Sequence, residues 1–231
     1  MRDTVAFPPE EPAREPIFNV PWPVTALVAV LLALHAIRQL SGFDGDVLAF
    51  TDHDLNPAGC VSLLTYQIVH ANWAHVLTNA AFTLAFGTPV ARYFGTGARG
   101  AAMLFLFFLL CGVFAALGFA GWAALLGAMG YPQGHWGLVG ASGAASGLFA
   151  AAARLLTGRG RLGPVLNGRF VTMTIAWIVA NMVLSVSGLT PGAAGARVAW
   201  EAHVFGFAAG LALAKPFALL AGVRTEHALA P

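Results

Sequence analysis

The chain has 231 residues, 58% of them hydrophobic and only 10% charged, with a formal net charge of +2. A soluble domain carries about a quarter charged residues, so this chain has too few polar groups to cover a soluble globule. The composition is that of an integral membrane protein, and the Lys and Arg, scattered through loops, exclude a nucleic-acid surface.

The chain opens MRDTVAFPPEEPAREPIF, with prolines and acids where a signal peptide needs an apolar core. Residues 1–20 are therefore expected to be a cytoplasmic tail, 21–222 the membrane domain and 223–231 a second cytoplasmic tail. A spanning helix needs about 20 mainly apolar residues. Six candidates follow in order, at 22–40, 72–91, 100–121, 140–156, 169–188 and 199–221. The expected fold is all-α, a six-transmembrane-helix bundle in one domain.

The loop after the first span carries Asp44, Asp46, Asp52 and Asp54 and no base beyond Arg38 at the helix end. Arg92 and Arg99 lie between the second and third spans, and Arg154, Arg159, Arg161 and Arg169 between the fourth and fifth. Arg2, Arg14, Lys215 and Arg224 lie toward the two ends, while the loop after the fifth span has only Arg197. Basic loops stay cytoplasmic, so both termini face the cytoplasm and the first, third and fifth loops face outside. The Trp residues at 22, 73, 122, 136 and 200 fall near the expected interfaces.

The second span opens with HANWAHVLTN. His75 and Asn79, four apart, share a helix face, and His70 precedes the helix on its outer side. His70 and Asn79 are polar donors near the external surface. The five-residue spacing of the histidines, without a glutamate, does not match the zinc motif H-E-x-x-H. No metal and no cofactor is expected, and His75 is expected to be structural. Cys60 falls in a loop and Cys111 inside the apolar third span, so no disulfide is expected to join them.

The fourth span is unusual. From Gly140 to Ala153 every residue except Leu148 and Phe149 is Gly, Ala or Ser. Small residues in membranes mark close helix contact, so this helix is expected to be central. About 17 residues at roughly 1.5 Å each give about 25 Å, short of a roughly 30 Å hydrocarbon core. Its outer end, with Ser142, then stops in a recess open to external water. Ser142 reads either as a packing serine or as a nucleophile.

The sixth span, AWEAHVFGFAAGLALA, sets His203, Gly206, Gly210 and Ala214 on one stripe. That stripe suits the small face of the fourth span, Gly143 included. His203 and Ser142 then lie at similar depth, and a histidine in reach makes a serine a nucleophile. Glu201, two positions from His203, lies about 200° around the helix from it, so the expectation is a dyad rather than a triad. His35 and Asn181 read as hydrogen-bonded packing residues, and His53, His135 and His227 as exposed.

The motifs HANWAHVLTN, GASG and AHVFGFAAG, in this order, resemble those of the rhomboid intramembrane serine proteases, over about residues 20–222. The resemblance implies Ser142 as nucleophile and His203 as general base. It implies an oxyanion hole from the Ser142 backbone N–H, His70 and Asn79, with His75, Gly140, Gly143, Gly206 and Gly210 in support. It further implies cleavage of transmembrane protein substrates within a lipid bilayer, with HWGLVGAS pairing to the substrate backbone and the fifth helix beside a lateral entrance. The expected location is a bacterial inner membrane, the site opening outward. The chain departs from the family at two places: the first loop lacks the Trp-Arg pair, and Ser146 stands where some members have an aromatic residue. A catalytically inactive rhomboid-like protein that binds membrane clients is the alternative, and a small transporter a further one.

Overall fold

The computed structural model describes residues 19–54, 56–132, 134–187 and 198–223. Most of both tails, with His227 and Arg197, lies outside the described residues. Helix α1 spans Trp22–Ser41, α2 Ser62–Thr65, α3 Trp73–Phe94, α4 Ala98–Ala128, α5 Ser142–Thr157, α6 Gly168–Ser187 and α7 Trp200–Ala221. Two short strands, β1 at Phe50–Thr51 and β2 at Gly137–Leu138, pair antiparallel.

Local chemistry accounts for several boundaries. Pro21 and Pro23 bracket the start of α1, and Gly42 closes it in the left-handed region at φ 66°. The Asn72 side chain caps α3 by accepting from the His75 N–H. Helix α4 is 31 residues long and runs past the expected end at Gly121, which stays in helical conformation instead of turning left-handed. The run GWAALLGA holds neither proline nor charge, and the helix ends only at Met129–Gly130, where Gly130 has φ 85°.

Helix α5 is the packed centre. Every residue from Gly143 to Ala153 is buried, and the helix contacts α3, α4 and α7 closely and α6 along one side. By contrast α1, α4 and α6 expose Val30, Ile37, Leu106, Phe114, Ile175, Val179 and Val183. Bulky apolar residues outside and small ones inside are the arrangement expected where lipid, not water, is the solvent. Among the described residues four helices, α1, α4, α6 and α7, are long and apolar enough by themselves to cross a membrane. Helix α3 has the length but carries polar groups, and α5 has only 16 residues.

The first loop is tied down by Arg38 and Tyr66. Arg38, at the end of α1, donates to the His70 carbonyl at 2.5 Å. The Tyr66 hydroxyl donates to the Gly112 carbonyl on α4 at 2.6 Å, and the Tyr66 carbonyl accepts from the Gly140 N–H at 2.9 Å.

Candidate active site

The loop before α5 is held on two sides. Phe50 pairs with Leu138 and Thr51 with Gly137, and Trp136 packs on Phe50 and Phe119. Gly140 then turns the chain at φ 107°, a conformation that favours glycine. A Cβ at Gly140 would sit 2.6 Å from His75 Nε2, so this glycine also lets a side chain of α3 reach the loop. Ser142 follows as the first residue of α5. It is half-buried, and it sits where the helix presents unpaired N–H groups and the positive end of its dipole.

Helix α7 meets α5 backbone to backbone. A Cβ added at Gly206 would fall on the Gly143 carbonyl, and one at Gly210 on the Gly147 carbonyl. Both sides of this seam repeat at four residues, so one face of each helix is stripped to hydrogen. The expected supports Gly143, Gly206 and Gly210 lie in the seam, and Gly147 joins them. This approach brings His203 Nε2 to 2.7 Å from Ser142 Oγ.

The other ring nitrogen of His203 is also engaged. Nδ1 lies 2.6 Å from Asn181 Oδ1 on α6. The sequence reads Asn181 as a packing residue; its (i, i+4) bond to Trp177 fits that reading, but the side chain also faces α7. Glu201 is buried in the first turn of α7. Ser146 donates to the Ser142 carbonyl at 2.8 Å, so it bonds back along its own helix and puts no ring beside His203.

The two histidines before and on α3 take different places. His70 is fully buried, and burial first, then His75, push its imidazole pKa down to about 3. The neutral ring accepts from the Ala141 N–H at its Nε2, at 3.3 Å. The expectation puts His70 and Asn79 together as donors, but that His70 nitrogen is turned to the backbone as an acceptor. His75 and Asn79 instead face Gly140 from one side of α3. The Asn79 Nδ2 is buried with no partner among the described residues, a costly state for an amide unless something else occupies it.

Asp52, His53 and His135 could together hold a metal ion, with ligand atoms within 4.8 Å of one another on the exposed rim. His135 bonds to Asp52 at 2.8 Å, which holds the Asp52 carboxyl below the usual carboxylate range. This cluster fastens the segment before β2 to the first loop and stands apart from Ser142. A separate cleft of about 480 Å³ between α3, α5 and α6 is lined by Phe86, Pro89, Ala152, Leu156 and Met173. It opens near the C-terminal half of α5 and carries none of the expected site residues. Cys60 is exposed and Cys111 buried, both as free thiols.

A helical membrane protein with a serine hydrogen-bonded to a histidine across two tightly packed helices is the class these features define. The Rhomboid domain family matches residues 57–219, and the chain belongs to the rhomboid family. The match runs from the first loop through nearly all of α7 and covers every expected site residue. It identifies an integral membrane protein of a family of intramembrane serine proteases, one that also has inactive members. No curated protein matches the chain in sequence.

Proposed function

We propose that this chain is an active intramembrane serine endopeptidase with Ser142 as nucleophile and His203 as general base. The observation that carries the reading is the 2.7 Å contact between Ser142 Oγ and His203 Nε2. Ser142 Oγ attacks the scissile carbonyl carbon while its proton passes to His203 Nε2. The carbonyl oxygen becomes an oxyanion beside the Ser142 N–H and the Asn79 Nδ2–H, the latter a buried donor without a partner among the described residues. The C–N bond then breaks, His203 returns its proton to the leaving amine, and an acyl ester remains on Ser142. Water entering from the outer recess gives a proton to His203 as it attacks the ester carbonyl; the ester C–O bond then breaks, His203 passes that proton to Ser142 Oγ, and the carboxylic acid product leaves.

In this reading His75, facing Gly140, is the second side chain of the hole, and His70 holds the Ala141–Ser142 turn through its bond to Ala141. Gly140 gives the room for that arrangement. Strand β2 pairs on one side only among the described residues, so an unwound stretch of a transmembrane substrate can add to its other edge. All six long helices span the bilayer, α5 as a short span walled by its neighbours. The termini are cytoplasmic and the recess faces outside a bacterial inner membrane.

The test is labelling of the purified chain with a fluorophosphonate or isocoumarin probe. The adduct should map to Ser142 and disappear in His203→Ala. An unlabelled serine in folded protein would favour the client-binding alternative. Asn79→Ala should lower kcat on the order of 10²- to 10³-fold with little change in KM, as removal of one hole donor does, measured on a single-span reporter in proteoliposomes. Topology has its own check. A membrane-impermeant maleimide added outside intact cells should label the exposed Cys60 and leave the buried Cys111 unmodified; labelling only after the cells are opened would reverse the orientation.

A further inference from the structure

Ser142 and His203 account for one nitrogen of the imidazole; the other nitrogen decides whether that ring can act as a base. The Asn181 amide has two ends, and its neighbours fix which faces where. The Trp177 carbonyl can only accept, so the amide nitrogen donates to it, at 2.8 Å. Oδ1 is thereby turned to His203 Nδ1, at 2.6 Å. An amide oxygen also can only accept, so Nδ1 carries the proton. The Nε2 of the neutral ring is then a lone pair, aimed at the Ser142 hydroxyl.

We propose that Asn181 is a positioning residue for His203, holding the imidazole in the tautomer protonated at Nδ1 so that Nε2 is free to take the proton of Ser142. The inference rests on the protease reading above. It turns the expected dyad into a chain of contacts across three helices, α5, α6 and α7. An amide fills the same place in proteases of the Cys-His-Asn type. The need for it here follows from Ser146, which supplies no ring to pack against the imidazole.

Asn181 is itself held. The Trp177 ring stacks on Phe207 of α7 at 4.9 Å and on Phe149 of α5 at 5.7 Å. The carbonyl that orients the amide therefore sits on a turn of α6 clamped against both other helices. Elsewhere α6 is turned outward, with Ile175, Val179, Met182 and Val183 exposed. The aromatic clamp and the Asn181 amide thus seat a loosely covered helix against the base.

The experiment uses the full chain in proteoliposomes or nanodiscs, with the ring nitrogens of His203 read by 15N NMR and assigned by their loss in His203→Ala. Asn181→Ala should lower kcat on the order of 10²-fold with KM nearly unchanged. It should also convert the His203 signals from the Nδ1–H pattern to a mixture of tautomers. Asn181→Asp, which restores an acceptor, should recover the Nδ1–H pattern and most of the turnover. Asn181→Leu, apolar and close to asparagine in shape, makes the same measurement if the alanine variant does not fold. A variant lacking the acceptor that keeps the Nδ1–H pattern overturns the proposal, whatever its turnover. The spectrum reports the tautomer whether or not the chain cleaves anything. A parent chain without Ser142-dependent cleavage would therefore sink the protease reading, and unchanged His203 signals would sink this one.

Discussion

Ser142→Ala is expected to remove cleavage of a single-span reporter, with kcat falling on the order of 10⁶-fold, the scale of losing a serine nucleophile. His203→Ala should fall equally far, because a serine hydroxyl without its base is a poor nucleophile. The sharper measurement is the double variant. Two groups that act as one unit are not additive, so Ser142→Ala with His203→Ala should retain the residual rate of either single variant. Independent roles, with losses that multiply, would contradict a shared proton transfer through the 2.7 Å contact. Turnover in Ser142→Ala at the parent rate would end the protease reading altogether.

The second large effect belongs to a residue that takes no part in the chemistry. Gly206→Ala puts a methyl group onto the Gly143 carbonyl, a contact that neither backbone can yield to without α7 moving off α5. Overpacking of this kind costs about 1–3 kcal/mol, and thermal unfolding in detergent should show it. Activity should suffer as well. Gly206 lies less than one turn from His203, and a displacement of about 1 Å at a catalytic contact can cost on the order of 10²-fold in rate. Ala208→Val serves as the control. Ala208 is exposed on the same helix, so a larger apolar side chain there should change neither melting nor turnover. Parent-like melting and kcat in Gly206→Ala would show that the seam is looser than its geometry.

Much of the fold and part of the site are legible in the residues because the signals are periodic. The six long helices lie close to the apolar runs, and the glycine stripe on α7 finds its partner on α5. These readings depend on which residues share a face of one helix, and that is local information. The length of α4 is not legible, because a helix commonly closes at a glycine and the residues alone do not say which of Gly121, Gly127 and Gly130 closes this one. Asn181 is hidden for a different reason. Its bond to Trp177 is one turn of α6 away, but its bond to His203 depends on how α6 is rotated against α7. The even apolar surface of α6 does not encode that rotation. His70 and His75 illustrate the middle case. The shared face of His75 and Asn79 is visible in their spacing, yet choosing the histidine that looks toward Gly140 requires the turn that only the Gly140 backbone creates.

The groups around His203 also arrive in a fixed order. Ser142 enters with α5, Asn181 with α6 and His203 with α7, 61 residues after the serine. Chains are made from the N-terminus at about 5–20 residues per second, so synthesis of that interval takes roughly 3–12 s. Through those seconds the nascent chain holds Ser142 and Asn79 but not His203, the base of the proposed dyad. Under the proposed protease reading, a chain still short of α7 could not cut its neighbours or itself. Its competence begins when the helix that carries the base is in place.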